Sequence, residues 1–471
     1  MADSSQIIEL YSALADKPET DFGWDKGMNN AIAHNYSKEW FDKLPSEIWD
    51  YCAAVGNPFK VGKINEGSTV VDLGCGAGVD LLISALLVGE SGKAIGVDIT
   101  PKMVQKAKYH AELAGFKNVE VIESDFENLN IEDSSVDVVI SNGAINLSSC
   151  KESVFKEIYR ILKDDGKIYF ADMIDISNED MNDCSQENES SCCTKAEGDW
   201  ANCVAGTLRQ DELIKIIEDS GFKDVECTGL THYVTSDTTK GATFKATKIP
   251  AAEMRESHWN NLFKSVNYKE VLWYQDSPSK SLSLIDSYVN KDDSIIDVGC
   301  GTSLVVDNLL QNDYTDLTLL DTSKKALEIV KQRVGDSNVE YICDDILNFN
   351  STKKFDLWHD RAVFHFLTSK KDRDSYFKIL TSSLKDNGVA IISTFGIDGP
   401  DMCAGLDTVK YDDTKIYNQL PSALELIEYA DYIHITPNNS EQKYTYFIIK
   451  KVYDIGFPVC KGCHRLDAMQ Y

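Results

Sequence analysis

Two sets of residues in this chain have types and spacings suited to chemistry. The first is written twice: Asp72, Gly74 and Gly76 in VVDLGCGAG (70–78), and Asp297, Gly299 and Gly301 in IIDVGCGTS (295–303). A glycine turn lets backbone approach a ligand closely, and the helix behind it offers free N–H groups. Each copy continues with an acid at the tip of a second strand, Asp98 in IGVDIT and Asp321 in LLDTS. Such an acid is placed to accept hydrogen bonds from a ribose diol. A third acid follows, Asp125 in NVEVIESDFENLN and Asp345 in NVEYICDDILNFN, placed to meet an adenine amino group. The turns, Gly74-Cys75-Gly76-Ala77-Gly78 and Gly299-Cys300-Gly301-Thr302-Ser303, lack the G-x-G-x-x-G spacing of dinucleotide sites. Asp72 and Asp297, two residues ahead of the first glycines, are placed to face a positive amino group. The second set is made of thiols. Cys192, Cys193 and Cys203 fall within CCTKAEGDWANCVAG (192–206), with Cys184 just upstream. A disulfide knot, a zinc site and a trap for a soft element are the alternatives.

The elements that must carry these residues are legible from a second level of repetition. Five landmarks recur in the same order: the two glycine turns, the two second-strand acids, the two NVE segments, VDVVISNGAINL with FDLWHDRAVFHFL, and LKDDGKIYFADM with LKDNGVAIISTF. Strand-length apolar runs alternating with helical patterns predict parallel sheets covered on both faces. The expected architecture is therefore α/β, with two tandem doubly wound (Rossmann-like) domains over 1–248 and 255–455. A Cys-containing tail occupies 456–471. The join falls in TSDTTKGATFKATKIPAAEMRES, where FKATKI is the last strand, Pro250 stops it and SHWNNLFKSVNY opens a helix. DISNEDMNDCSQENESS (175–191) reads as a mobile polar loop.

Composition narrows the partners. Of 471 residues, 47 are basic and 76 acidic, a formal charge of −29. That charge repels phosphate backbones and anionic lipid, so neither nucleic acid nor membrane is an expected partner. The N-terminus has no secretory pattern and no run of about 18 apolar residues occurs, which predicts a cytoplasmic protein with reduced thiols. A disulfide knot is accordingly disfavoured.

The DxGCG…D…D sets resemble those of class I S-adenosylmethionine-dependent methyltransferases over nearly all of both halves. The resemblance implies seven-stranded sheets with an antiparallel last strand, and S-adenosyl-L-methionine as cofactor. It implies cofactor-binding roles for Asp72, Gly74, Gly76, Asp98, Ile99, Met103, Asp125, Phe126 and Asn142 in the first half. In the second half the corresponding residues are Asp297, Gly299, Gly301, Asp321, Thr322, Asp345 and Ile346. No resident metal is implied.

The first half resembles the arsenite methyltransferases more specifically, through DLGCGAGVDLLISALLVGESGKAIGVDITPKMVQKAK, VISNGAINLSSCKESVFKEIYRILKDDGKIYFADM and WANCVAGTLRQDELIKIIEDSGF. In that family cysteine thiolates gather As(III), whose lone pair attacks the sulfonium methyl. The resemblance assigns one such ligand to Cys203 in NCVAG. It implies two further cysteines where this chain has Gly143 and Val55, and Cys52, Cys192 and Cys193 are the available substitutes. A different small nucleophile (a thiol, selenol or amine), or binding without turnover, also fits the missing ligands. Cys75 and Cys300, inside the glycine turns, read as small packing residues. The segment DFGWDKGMNNAIAHNYSKEW is of the kind that closes over the cofactor, with Tyr11, Trp24 and Tyr36 as contacts, or else packs as surface helix.

The second half resembles another class I branch, whose acceptors are poorly defined. WHDRAVFHF follows the fourth strand, where a small-molecule acceptor docks. Asp360 and Arg361 are candidates to orient it or to pair with each other, and His359 or His365 to take a proton. The tail motif CKGCH matches a haem-attachment pattern, yet haem loading requires export, and a zinc site there lacks a fourth ligand. The sequence does not specify an oligomeric state.

Overall fold

The computed structural model describes residues 4–177, 206–335 and 337–452. The chain divides into two compact units, Met1–Pro250 and Ala251–Tyr471.

In the first unit, α1 (Ser4–Asp16), α2 (Met28–Ala33) and α3 (Lys38–Lys43) precede the sheet. The alternation then runs β1 (Thr69–Leu73), α4 (Val79–Val88), β2 (Lys93–Asp98), α5 (Pro101–Leu113), β3 (Val119–Glu123) and β4 (Val136–Asn142). It continues with α6 (Lys151–Ile161), β5 (Leu162–Asp175), β6 (Leu208–Arg209), α7 (Gln210–Asp219), β7 (Phe222–Ser236) and β8 (Thr239–Lys248). Seven strands lie in the order β3-β2-β1-β4-β5-β8-β7, and the two-residue β6 pairs with β5. β8 is antiparallel to both of its neighbours, and the pairs from β3 through β5 are parallel. The sequence dictates which strand goes where. TVVDL is apolar on both faces and buried, as a central parallel strand must be. FKDVECTGLTHYVTS alternates between more and less buried residues along its length, as expected of an edge strand with one wet face.

The second unit repeats the plan with α8 (Ala251–Ser265), α9 (Ser279–Tyr288), β9 (Ser294–Val298), α10 (Val305–Gln311), β10 (Asp316–Asp321) and α11 (Lys324–Val334). After these come β11 (Val339–Cys343), β12 (Phe355–Arg361), α12 (Lys370–Ser383) and β13 (Leu384–Phe395). A small β14 (Met402–Cys403) and β15 (Leu406–Asp407) pair with each other before α13 (Asp413–Tyr417), β16 (Leu424–Ile435) and β17 (Glu441–Lys451). The strand order is β11-β10-β9-β12-β13-β17-β16, with β17 antiparallel to β13 and β16. Adjacent residues divide between the two faces. Ile296, Trp358, Ile392 and Phe447 enter one core, and Ile295, Leu357, Ile391 and Ile448 the other. The expected sheets, with an antiparallel strand near the end of each, are therefore present in both units.

One boundary differs from expectation. The helix placed at SHWNNLFKSVNY starts at Ala251, immediately after Pro250, because AAEMRE consists of strong helix formers. The polar loop beyond Ser177 and the Cys-containing tail lie outside the described residues.

The stretch joining α3 to β1 is what brings the N-terminal helices onto the first sheet. Asn30 clamps it, donating from Nδ2 to Ala54 O at 3.0 Å and accepting from Ala54 N at 2.8 Å. Thr231 Oγ1 of β7 donates to Val55 O at 2.8 Å. Ile48 and Trp49 bury themselves against Val79, Leu82 and Ile83 of α4. Gly56 sits where there is no room for a side chain. A Cβ there would stand 2.7 Å from Ala171 Cβ and 3.0 Å from Thr243 Cγ2. Gly56→Ala is expected to destabilise the first unit by about 1–3 kcal/mol through overpacking. A lowered urea midpoint would register the effect, and an unchanged midpoint would refute this account of the crossing.

Candidate functional site

The glycine turns are built alike in both units. Gly74 N and Cys75 N donate to Val97 O of β2 at 2.8 and 3.0 Å, and Gly76 N donates to Asp98 Oδ2 at 2.9 Å. Asp98 Oδ1 accepts from Thr100 N at 2.8 Å. In the second unit Gly299 N and Cys300 N donate to Leu320 O, and Gly301 N donates to Asp321 Oδ2 at 2.7 Å. Ser323 N completes that carboxylate at 2.7 Å. Gly74 and Gly78 have φ of +78° and +99°, which L side chains rarely adopt, and Gly78 also packs directly on Ala107. The turns are braced from behind by different residues. His110 Nδ1 donates to Ala77 O at 2.7 Å, whereas Arg333 donates to Thr302 O and Ser303 O while paired with Asp307.

Around the first turn lies a cavity of about 860 Å³. Asp72, Gly74, Gly76, Asp98, Ile99, Met103, Asp125, Phe126 and Asn142 all border it. So do Tyr11, Trp24 and Tyr36 from the N-terminal segment, with Phe22 stacked on Trp24 at 5.3 Å. No lysine, arginine or histidine is among the described lining residues, whereas Asp21, Asp25, Asp72, Asp80, Asp98, Asp125 and Glu127 are.

Asp80, on the first turn of α4, is the residue that sequence reasoning missed. Its Oδ1 accepts from Tyr36 Oη at 2.8 Å and its Oδ2 from Asn142 Nδ2 at 2.9 Å. Asn142 Oδ1 in turn accepts from Val55 N at 2.9 Å, so one amide ties the fourth strand to the N-terminal segment. A signal was present: Asp80 is the one acid in the otherwise apolar VDLLISALLV, a helix buried over most of its surface. Burial drives Asp80 up to about 6, with the bonds from Asn142 and Tyr36 pulling back. Asp72 is driven up further, by burial and then by the charges of Asp80 and Asp98. Its Oδ2 is buried without a hydrogen-bond partner among the described residues. A buried carboxylate oxygen so placed lacks the donor that an ammonium group would supply.

The thiols fare differently. Cys192, Cys193 and Cys203 lie outside the described residues. Cys52 borders the cavity, but its Sγ donates to Asn30 Oδ1 at 3.5 Å, and burial, then the Asp80 charge, push its thiol well up. It stands as a neutral thiol, not the thiolate that a soft ligand requires. Cys75 packs among Leu81, Ala94, Val104 and Ala107, and Cys300 among Leu284, Val305 and Leu319. Gly143 and Val55, where the resemblance implies cysteines, are neighbours on the cavity wall. A Cβ on Gly143 would stand 2.9 Å from Val55 Cγ2.

The second unit's cleft is smaller, about 120 Å³, and walled by Trp259, Phe263, Trp273, Phe366 and Tyr444. Asp297, Gly299, Gly301, Asp321, Thr322, Asp345 and Ile346 all border it. Burial brings Asp321 up to about 6. Asp345 is engaged by Arg255 of α8, Nε to Oδ2 at 2.6 Å.

Three residues expected to transfer protons or orient an acceptor in this unit have structural partners of their own. His359 Nδ1 donates to Asp297 Oδ1 at 2.6 Å, and its Nε2 is bonded to Ser281 Oγ at 2.9 Å. Both ring nitrogens are committed, so His359 orients Asp297. The Asp–His–Ser connectivity is that of a nucleophile relay, but Ser281 is wholly buried and offers no nucleophile. Asp360 faces the opposite side of β12, accepting from Val363 N at 2.8 Å and Tyr376 Oη at 2.6 Å, and burial lifts it to about 6. It caps the following turn, lies away from the cleft lining and has no ion pair with Arg361 among the described residues. His365 is fully buried, which lowers it to about 3, and it does not border the cleft. Arg361 does border the cleft.

A family profile described as "Methyltransferase domain" matches residues 64–221, and a second profile of the same description matches 295–388. The arsenite methyltransferase of Halobacterium salinarum is 36% identical over 173 residues, 36% of this chain and 41% of that protein. That of Homo sapiens is 35% identical over 169 residues, 33% of this chain and 42% of that protein. The chain thus spans about two fifths of the length of these curated relatives. A crystal structure of an arsenic(III) S-adenosylmethionine methyltransferase from Chlamydomonas reinhardtii is 27% identical, covering 48% of this chain and 76% of that one with a TM-score of 0.35. S-adenosylmethionine is the cofactor that the two methyltransferase domains imply, and an ammonium group such as its own would suit the unpartnered Asp72 oxygen.

A cation can be received by Asp72 and Asp80 only in their ionised forms. Raised acids are protonated at low pH in the free protein, so binding of S-adenosylmethionine to the first unit is expected to strengthen as pH rises through about 6. Calorimetry in buffers of different ionisation enthalpy should show proton release near pH 5.5, diminished in Asp80→Asn. An affinity that is flat between pH 5 and 8 would overturn this assignment.

Proposed function

With two methyltransferase domains in one chain as the premise, we propose a tandem S-adenosylmethionine-dependent methyltransferase whose first unit methylates a small, soft, uncharged acceptor such as thiol-bound As(III). The carrying observation is the bond from the second glycine's amide to the second-strand acid, repeated at 2.9 and 2.7 Å in the two units. It fixes the acid at the rim of the cleft with its outer edge available to a ribose diol. When bound there, the cofactor supplies a methyl group made electrophilic by its sulfonium. The chain's own residues do the rest. Asp72 and Asp80 receive the ammonium, Asn142 and Tyr36 hold Asp80 in place, and the aromatic N-terminal wall keeps water from the methyl group.

The charge of the first cavity supports an acceptor that is neutral or cationic, because seven acids and no base line its described wall. Arsenous acid at neutral pH meets that condition. The arsenite methyltransferase relatives support the choice of arsenic. A second reading, transfer to another small nucleophile such as a thiol, selenol or amine, is favoured by the Val55–Gly143 wall, which offers no thiol. On the arsenic reading Cys203 is the protein ligand, and an added small thiol supplies the others.

Labelled cofactor should transfer methyl to arsenite plus 2-mercaptoethanol, read by mass, and Cys203→Ser should abolish the product. Val55→Cys with Gly143→Cys should raise arsenite turnover by about 10- to 100-fold, the scale that even outer-shell partners reach in metal sites. Methylation of glutathione, selenite or an amine in preference to arsenite would establish the second reading. Cofactor bound without transfer to any acceptor would leave a binding protein. S-adenosylhomocysteine should bind in two equivalents, and Asp98→Ala and Asp321→Ala should each remove one. Unchanged stoichiometry would refute the sites.

A further inference from the structure

Arg361 closes β12 at the place where Asn142 closes β4, yet the surroundings of the two differ in charge. Val305 stands where the first unit has Asp80, so the second cleft has no carboxylate at that point to meet a cation. Arg255 and Arg333 meet carboxylates at 2.6 and 2.7 Å, whereas Arg361 has none within ion-pair distance among the described residues. Its Nη1 and Nη2 both donate to one acceptor, Trp273 O, at 3.1 and 3.2 Å. A carbonyl seated between the two Nη atoms holds the guanidinium in one orientation and leaves the Nε–Nη2 edge, which can grip a carboxylate bidentately. Asp360 cannot supply that carboxylate, being turned to the other face and bound to Tyr376. Asp297 is turned to His359. A partly buried guanidinium lacking a counter-charge, in a cleft walled by Trp259, Trp273 and Phe366, awaits an anionic partner.

We infer that Arg361 is the carboxylate-binding residue of the second unit's cleft. The inference rests on reading that cleft as a methyltransferase site. The carboxylate belongs either to the amino-acid end of the cofactor or to an acceptor with a flat apolar body, which the indole walls suit.

The full-length chain carrying Asp98→Ala, in which only the second unit binds cofactor, separates these sources. S-adenosylhomocysteine and 5′-methylthioadenosine, which lacks the amino-acid end, are titrated calorimetrically against this chain with Arg361, Arg361→Lys and Arg361→Gln. If the cofactor supplies the carboxylate, Arg361→Gln weakens S-adenosylhomocysteine by about 10- to 100-fold, the scale of hydrogen bonds to charged groups. Methylthioadenosine binding then stays unchanged and reports an intact fold, and Arg361→Lys keeps part of the affinity. If the acceptor supplies it, both nucleosides bind as before. With S-adenosylhomocysteine saturating, phenylacetate then binds more tightly than phenylacetamide, and Arg361→Gln erases the preference. Arg361→Gln with no effect on either comparison overturns the inference, and Arg361→Lys decides the matter if the glutamine variant loses methylthioadenosine as well. Absence of any nucleoside binding in the Asp98→Ala chain refutes the cofactor reading itself, and Arg361 is then judged by the phenylacetate pair titrated without nucleoside, where no preference for phenylacetate overturns the inference.

Discussion

Each unit depends on a carboxylate at the end of its second strand that accepts two backbone N–H groups, one from the glycine turn and one from the start of the next helix. This interaction joins two βα turns, and it does so beside the cleft that both border. Burying the acid is costly, as the upward displacement of Asp98 and Asp321 records, and the two amide donors offset that cost. Glycine is needed at the turn because the amide must point at the acid while the backbone adopts positive φ. The parallel register of β1 with β2, and of β9 with β10, sets the height at which acid and amide meet.

On that shared frame the two units have moved apart in charge. The first surrounds its turn with Asp72, Asp80 and Asp98 and uses a neutral amide, Asn142, to hold Asp80. The second puts Val305 and Arg361 at the corresponding places and ties Asp297 to His359. A duplicated scaffold therefore carries two electrostatic environments, since a few side chains at strand ends can change without disturbing either core.

Much of this was legible in the sequence. Apolar runs such as TVVDL and SIIDV, each ending in an acid and a glycine turn, declare central strands, and their order declares the sheet. The acids that border the two clefts follow because they sit at fixed places relative to those strands. What escaped is the set of contacts between residues remote in sequence. Tyr36 with Asp80, Arg255 with Asp345 and Arg361 with Trp273 each join segments that no local pattern relates. The roles of Asp360 and His359 escaped for another reason. Neighbours on a strand point to opposite faces, so WHDR separates into two inward and two cleft-bordering groups only once the strand's register is known. The contrast between Cys52 and an activated thiolate likewise depends on burial that its flanking residues do not announce.

The ion pair between Arg255 and Asp345 gives the second cleft an internal competitor. A nucleobase amino group that approached Asp345 would compete with a guanidinium that is already covalently part of the chain and held close by α8. The affinity observed in solution is then the intrinsic affinity scaled by the fraction of molecules in which that pair is open. Two sites built on one plan thus differ at the third acid, which accepts from backbone amides in the first unit and is half of an ion pair in the second.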